Sequence, residues 1–307
     1  SLVQFGTIDK GKTYPIAFDY GNWFSIILSD RVGYVHKNNV EVNFLKSDKY
    51  FRVKNNTPIY DNRTGSLVKV GELAKGQVYP RLRDYGANWH EIQYGNIKGY
   101  VLKADTSLAT GNEIKNKNTS YKNQARTFKA LSSIPVYDNT SGSLVQFGTI
   151  DKGKTYPVAF NYGNWLGIIL SDRVGYVHKN DVNINFLKSD KYFRVQKNTP
   201  IYDNRTGSLV KVGELTKGQV YPRTRDYGAN WHEIQYGNIK GYIYKPDTSI
   251  ATGKEIKNKN TSHKNQAWTF KTISAVPVYD NTSGSLVQFG TIDKGKTYPV
   301  AFDYGNW

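Results

Sequence analysis

Asn88-Trp-His-Glu-Ile-Gln-Tyr-Gly-Asn-Ile-Lys-Gly-Tyr-Val101 reads as two short strands and the turn between them. Trp, Ile, Tyr and Val favour extended backbone. Gly95-Asn96 places residues that accept positive φ between the two runs, which is the signature of a hairpin. Alternation puts Trp89, Glu91 and Gln93 on one face and His90, Ile92 and Tyr94 on the other. Polar and apolar residues therefore mix on both faces, as a small, thin-walled barrel requires. Residues 54–60, 67–73, 77–83 and 98–102 have the same character and are separated by Gly, Asn and Asp turns. No stretch carries apolar residues at helical spacing, so the fold class is all-β.

The hairpin belongs to a repeat. Residues 1–142 and 143–284 differ at only 22 positions without insertion, and residues 285–307 begin a third copy. A weaker internal repeat sets Thr57-Pro-Ile-Tyr-Asp-Asn-Arg-Thr-Gly-Ser-Leu-Val68 beside Ile134-Pro-Val-Tyr-Asp-Asn-Thr-Ser-Gly-Ser-Leu-Val145. The period thus holds two modules, A and B. Residues 1–42 are a partial A module and 50–105 a B module. After a Lys/Asn-rich connector at 106–126 come an A module at 127–184 and a B module at 192–247. A second connector, 248–268, leads to a partial A module at 269–307. Near-identical copies in series suit a role met by many equivalent sites rather than by one specialised cleft.

Each module has about 55 residues and buries only about 60% of its unfolded surface, so packing against neighbours should matter. The A-to-B connector carries Phe44 and Leu45 and is expected to dock. The B-to-A connector has the composition of a solvated linker, while Leu108, Ile114 and Tyr121 are available to pin it down. Residues 269–307 supply the opening strands of an A barrel and residues 1–42 its closing hairpin. Head-to-tail self-association of one chain's tail with the next chain's head is therefore expected.

Forty-two Lys and Arg against 25 Asp and Glu give a net charge of +17, which attracts polyanions. The absence of Cys and Met excludes disulfides and thiolate metal sites and suits a long extracellular life. No apolar run approaches the ~18 residues needed to cross a bilayer, so membrane insertion is not expected.

Gly71-Glu-Leu-Ala-Lys-Gly-Gln-Val-Tyr79, followed by Asn88 to Val101, resembles the bacterial SH3-like (SH3b) domain. That pattern is a Gly-x-Leu-x-Lys-Gly strand pair, a Trp-x-x-Val strand and a closing Gly-Tyr-Val hairpin. The A modules are similar more loosely, through Asn164-Trp-Leu-Gly-Ile-Ile-Leu-Ser-Asp-Arg-Val-Gly-Tyr-Val177. The family's usual Asn-Val-Arg-x-Gly-Pro opening is replaced by Ile59-Tyr-Asp-Asn-Arg-Thr-Gly65. The resemblance implies tandem small SH3-like β-barrels, arranged as beads on a string or as a rod. It also implies an extracellular setting at the cell wall or surface of a Gram-positive bacterium, with peptidoglycan or teichoic acid as ligand.

Trp23, Trp89, Trp165 and Trp231 occupy equivalent positions, where each seals its own barrel or stacks on a sugar or peptide. Tyr20, Tyr85, Tyr162 and Tyr227 lie in Gly-flanked turns as candidate binding planes. Arg81 with Arg83, and Arg223 with Arg225, place two cations on one face of a strand. They form either an anion grip or a solvated face. The five histidines are expected at the surface, and none has a second ligand at metal spacing. Glu91 and Asp84 could pair only in B modules, because Gly167 or Ser25 replaces the first in A. No catalytic residue, metal or cofactor is expected. Nucleic acid is a poor partner, since the lysines are interspersed with Asp and Asn and no recognition motif occurs. Two functions remain: a non-catalytic wall-polymer binder with many weak sites, or a structural repeat that forms a rod or filament on the cell or spore surface.

Overall fold

A computed structural model describes residues 2–115, 117, 120–257, 259 and 262–307. Ser1, where the repeat begins, and the Asn-rich middle of each connector (116, 118, 119; 258, 260, 261) lie outside the described residues. Among the described residues, regular secondary structure is almost entirely strand, with four short 3₁₀ turns. The all-β expectation holds. Two compact units emerge: 1–121 with 135–151 and 169–176, and the remainder.

In the first unit, the B module is built from two antiparallel sheets. One runs in the order Thr106–Ala109, Tyr50–Val53, Val78–Pro80. The other runs Arg83–Tyr85, Trp89–Tyr94, Ile97–Leu102, Thr57–Asp61, Val68–Leu73. Phe51, Val53 and Tyr79 from the first sheet and Ile59, Leu73, Ile92 and Val101 from the second are buried. Gly95 turns the hairpin at φ +59, where a side chain is disfavoured.

The second sheet does not stop at the module. Strand Val68–Leu73 pairs with Val145–Ile150 of the following A module, through Glu72 opposite Thr149. The backbones approach so closely at Gly71 and Gly148 that a Cβ would lie 2.0 Å from Thr149 O and 2.2 Å from Glu72 O respectively. Ala74 N–H donates to Phe147 O, and Asp151 N–H to Val70 O, each at 2.9 Å. In the second unit, Val210–Leu215 and Val287–Ile292 repeat the pairing. There Phe289, Ile292 and Tyr298 join Phe193, Ile201 and Ile234 in one core. Residues 3–8 are identical to 145–150 but form no strand. The segment forms a strand in the two places where both a B-module strand and the preceding strand of its own module, Ile134–Asp138 or Val276–Asp280, lie alongside it.

The linker reading of the B-to-A connector needs correction. Its first residues, Thr106–Ala109, are a strand paired with Tyr50–Val53, so the module continues past residue 105. Beyond it, Ile114 is buried, Glu113 pairs with Arg52, and Gly111 and Lys117 cover the ring of Tyr50. In the second unit, Gln124 at the connector's far end donates to Val158 O and Ala159 O. Apolar and backbone contacts outweigh a composition that reads as solvated. The A-to-B connector docks as expected, with Phe44 against His90 at 4.4 Å. Leu45, by contrast, stays exposed.

Candidate functional site

Register brings the chemistry of the B module to one outer face. The turn at Gly95-Asn96 sets Tyr94 opposite Ile97, so Glu91 falls opposite Tyr100. The next pairing sets Arg83 opposite Glu91 and Tyr85 opposite Trp89. Glu91 is only 3% exposed, yet its carboxylate is held by charge. Arg83 donates from Nε at 3.2 Å and Nη2 at 3.0 Å, and Lys98 Nζ stands 3.8 Å from the other oxygen. Both cations keep 64% of their side chains in solvent. One buried carboxylate thus fixes two exposed positive groups, and the pairing raises the Arg83 pKa. Tyr85 leans on Tyr100 at 4.5 Å, and Trp89 meets Tyr60 edge-on at 5.7 Å.

The second B module repeats this face. Arg225 holds Glu233 at 3.0 and 2.8 Å, and that hydrogen bond lowers the Glu233 pKa. Tyr227 packs on Tyr242 at 4.6 Å, and Trp231 lies between Tyr202 and Tyr244. A groove of about 290 Å³ opens beside Tyr242, lined by Asn204, Asn238, Lys240 and Arg205, the last ion-paired to Asp203 of the same lining. The face therefore offers several cations around aromatic planes in a shallow groove, an arrangement that suits an extended anionic chain rather than an enclosed small molecule.

Arg81 and Arg223 do not belong to this face, which corrects the two-cation grip. The strand breaks between Pro80 and Arg83, so the alternation rule fails there and Arg81 turns inward. Buried Arg81 donates to Asp84, to Asp48 O and to Leu45 O. Arg223 makes the same bonds to Asp226, Asp190 O and Leu187 O. These arginines clamp the A-to-B connector. Beside them, His90 and His232 are fully buried, against the surface expectation. Each bonds a Thr hydroxyl at 3.0 Å, and burial, then Arg and Lys charge nearby, lowers each pKa to about 3.

A modules lack the charged pair. The ring of Phe160 occupies the space over Gly167, leaving no room for a carboxylate side chain. Tyr162 is 74% exposed, while Trp165 is half-buried against His178 at 5.2 Å. The A-module candidates therefore form no counterpart of the B face. Glu91, Lys98, Tyr100, Arg205 and Lys240 also lie on or beside this face, and residue type alone did not place them there. Counting outward from the Gly95-Asn96 turn would have found the first three, because register follows from the turn.

Among the described residues no group of three or more His, Asp or Glu is placed to hold a metal, and no helix is long and apolar enough to cross a membrane. No protein-family profile matches the chain, and no curated protein does. Among solved structures, NlpC2 from Trichomonas vaginalis is similar with a TM-score of 0.17 and 10% identity, over 46% of this chain and 53% of that one. NlpC1 from the same organism gives 0.16 and 8%, over 69% and 94%. The chain thus spans about half the length of the first of these.

Proposed function

We propose that the chain is a non-catalytic array of small SH3-like barrels from an extracellular protein of a Gram-positive bacterium, and that its B modules bind an anionic cell-wall polymer. The observation that carries this reading is the repeated B face, where buried Glu91 and Glu233 hold exposed Arg83, Lys98 and Arg225 around tyrosine planes. Charge distribution supports it. Residues 192–247 contain nine Lys and Arg against five Asp and Glu, whereas residues 127–184 contain five against four. Each B module thus carries +4 against +1 for that A module, while the connectors at 106–126 and 248–268 add +3 each. Weak sites on one chain act together, raising avidity by ~10² or more over one module.

Cosedimentation with isolated walls tests the reading. Binding should fall as salt rises, because exposed charges are screened within about 8 Å at physiological ionic strength. Walls stripped of teichoic acid should retain less protein. Unchanged retention on stripped walls assigns the ligand to peptidoglycan, and no retention on either wall defeats the proposal.

The pairing of Val68–Leu73 with Val145–Ile150 favours a second reading, a surface rod. In that case reach, rather than ligand capture, is the function, and wall binding is dispensable.

A further inference from the structure

Tyr85 and Tyr100 come from strands separated by Trp89–Tyr94, yet their rings meet over it at 4.5 Å with a 49° tilt. Tyr227 and Tyr242 repeat the contact at 4.6 Å and 50°. The pair Tyr79 and Tyr94 differs: its rings lie 6.4 Å apart in the core, with hydroxyls committed to Gln93 O and Thr149 O. In each outer pair one ring is reachable and the other is held. Tyr85 and Tyr227 are 40% exposed, whereas Tyr100 and Tyr242 are 9% exposed. The chain has 24 tyrosines and neither Cys nor Met, so no sulfur competes for an oxidant.

We propose that each pair is a site of oxidative cross-linking, in which an aryl–aryl bond joins Tyr85 to Tyr100 and Tyr227 to Tyr242. The oxidant is hydrogen peroxide acting through a haem peroxidase. Each phenol gives up one electron and one proton, and the two phenoxyl radicals couple through ring carbons beside the hydroxyls. The hydrogens on those carbons then move to the oxygens and restore both phenols. Each cross-link removes two hydrogens from the protein and reduces one peroxide to two waters. The bond would staple strand Arg83–Tyr85 to strand Ile97–Leu102 and fix the outer face against opening.

Treating the dilute chain with a haem peroxidase and hydrogen peroxide tests this, with free tyrosine coupled in parallel as a control. Intact mass should fall by four hydrogens per chain, and digestion should yield peptides joined at Tyr85–Tyr100 and Tyr227–Tyr242 with biphenol fluorescence. Tyr85→Phe should halve that loss and Tyr85→Phe/Tyr227→Phe abolish it, with circular dichroism showing the fold retained. Unchanged mass while free tyrosine couples, cross-links only between chains, or an undiminished loss in the double variant would each overturn the proposal.

Discussion

The guanidinium of Arg173 donates to Asp138 Oδ2 at 3.0 Å with both side chains almost wholly buried. The same group donates to Val78 O of the preceding B module at 2.8 Å and lies over the rings of Phe147 and Tyr79. The turn at Ser171-Asp172 presents Arg173, and Asp172 accepts its Nε–H at 2.9 Å. This arginine therefore latches an A module to a B module. Its equivalent Arg31 is half-exposed and paired with Asp30.

Removing Arg173 should leave the Asp138 and Asp172 carboxylates without their shared cation, at a cost of about 3–5 kcal/mol, whereas removing Asp138 leaves Arg173 paired with Asp172 and should cost less. Arg173→Ala should therefore lower the melting temperature of the first unit sharply. Arg173→Ala/Asp138→Ala should cost less than the sum of the single changes. Thermal unfolding of the four proteins in the cycle checks this, and strictly additive losses would mean the pair is not coupled.

Gly148 tests the shared sheet. A Cβ there would meet the backbone oxygen of Glu72, which cannot rotate away. Gly148→Ala should part the strands at a cost of about 1–3 kcal/mol, the usual range for overpacking. Hydrogen exchange should quicken at the amides of Ala74 and Asp151, which bridge the modules. Protection that stays at the wild-type level would show that the modules are held elsewhere.

Acid should loosen the B modules through their buried histidines. His90 and His232 have pKa values lowered to about 3, so the folded chain binds fewer protons than the unfolded chain, whose histidines titrate near 6.5. The stabilisation is present above pH 6.5 and is lost as pH falls toward 3, by about 2 kcal/mol per histidine at pH 5. Asp84 and Asp226, whose carboxyls also titrate below their ordinary range, add their losses only below about pH 4. Denaturant titrations from pH 7.5 to 5 should show the fall. Equal stability at both ends would mean that the imidazoles are not buried neutral.

How much of this was readable in advance depends on sequence distance. The hairpin Trp89–Tyr94 and Ile97–Leu102 is encoded by its own turn and was legible. The pairing of Tyr50–Val53 with Thr106–Ala109 was not, because neither strand has a turn that points to the other. Tyr85, Trp89 and Arg83 were legible as a cluster, being neighbours across one turn. Arg81 was misplaced because its inward rotation depends on the buried His90 and on a connector more than thirty residues upstream. The Arg173 latch onto Val78, 95 residues away, left no local trace.

The most direct test of the functional reading neutralises the B faces and leaves the A modules alone. Arg83→Gln/Lys98→Gln/Arg225→Gln/Lys240→Gln removes four positive charges from the two faces. Lys10→Gln/Lys12→Gln/Lys152→Gln/Lys294→Gln removes four from exposed A-module positions. Affinity for isolated Gram-positive walls at fixed ionic strength should fall at least about tenfold in the first protein, equivalent to ~1.4 kcal/mol, and stay near wild type in the second. Equal losses in both would contradict a site on the B face and reduce the attraction to net charge.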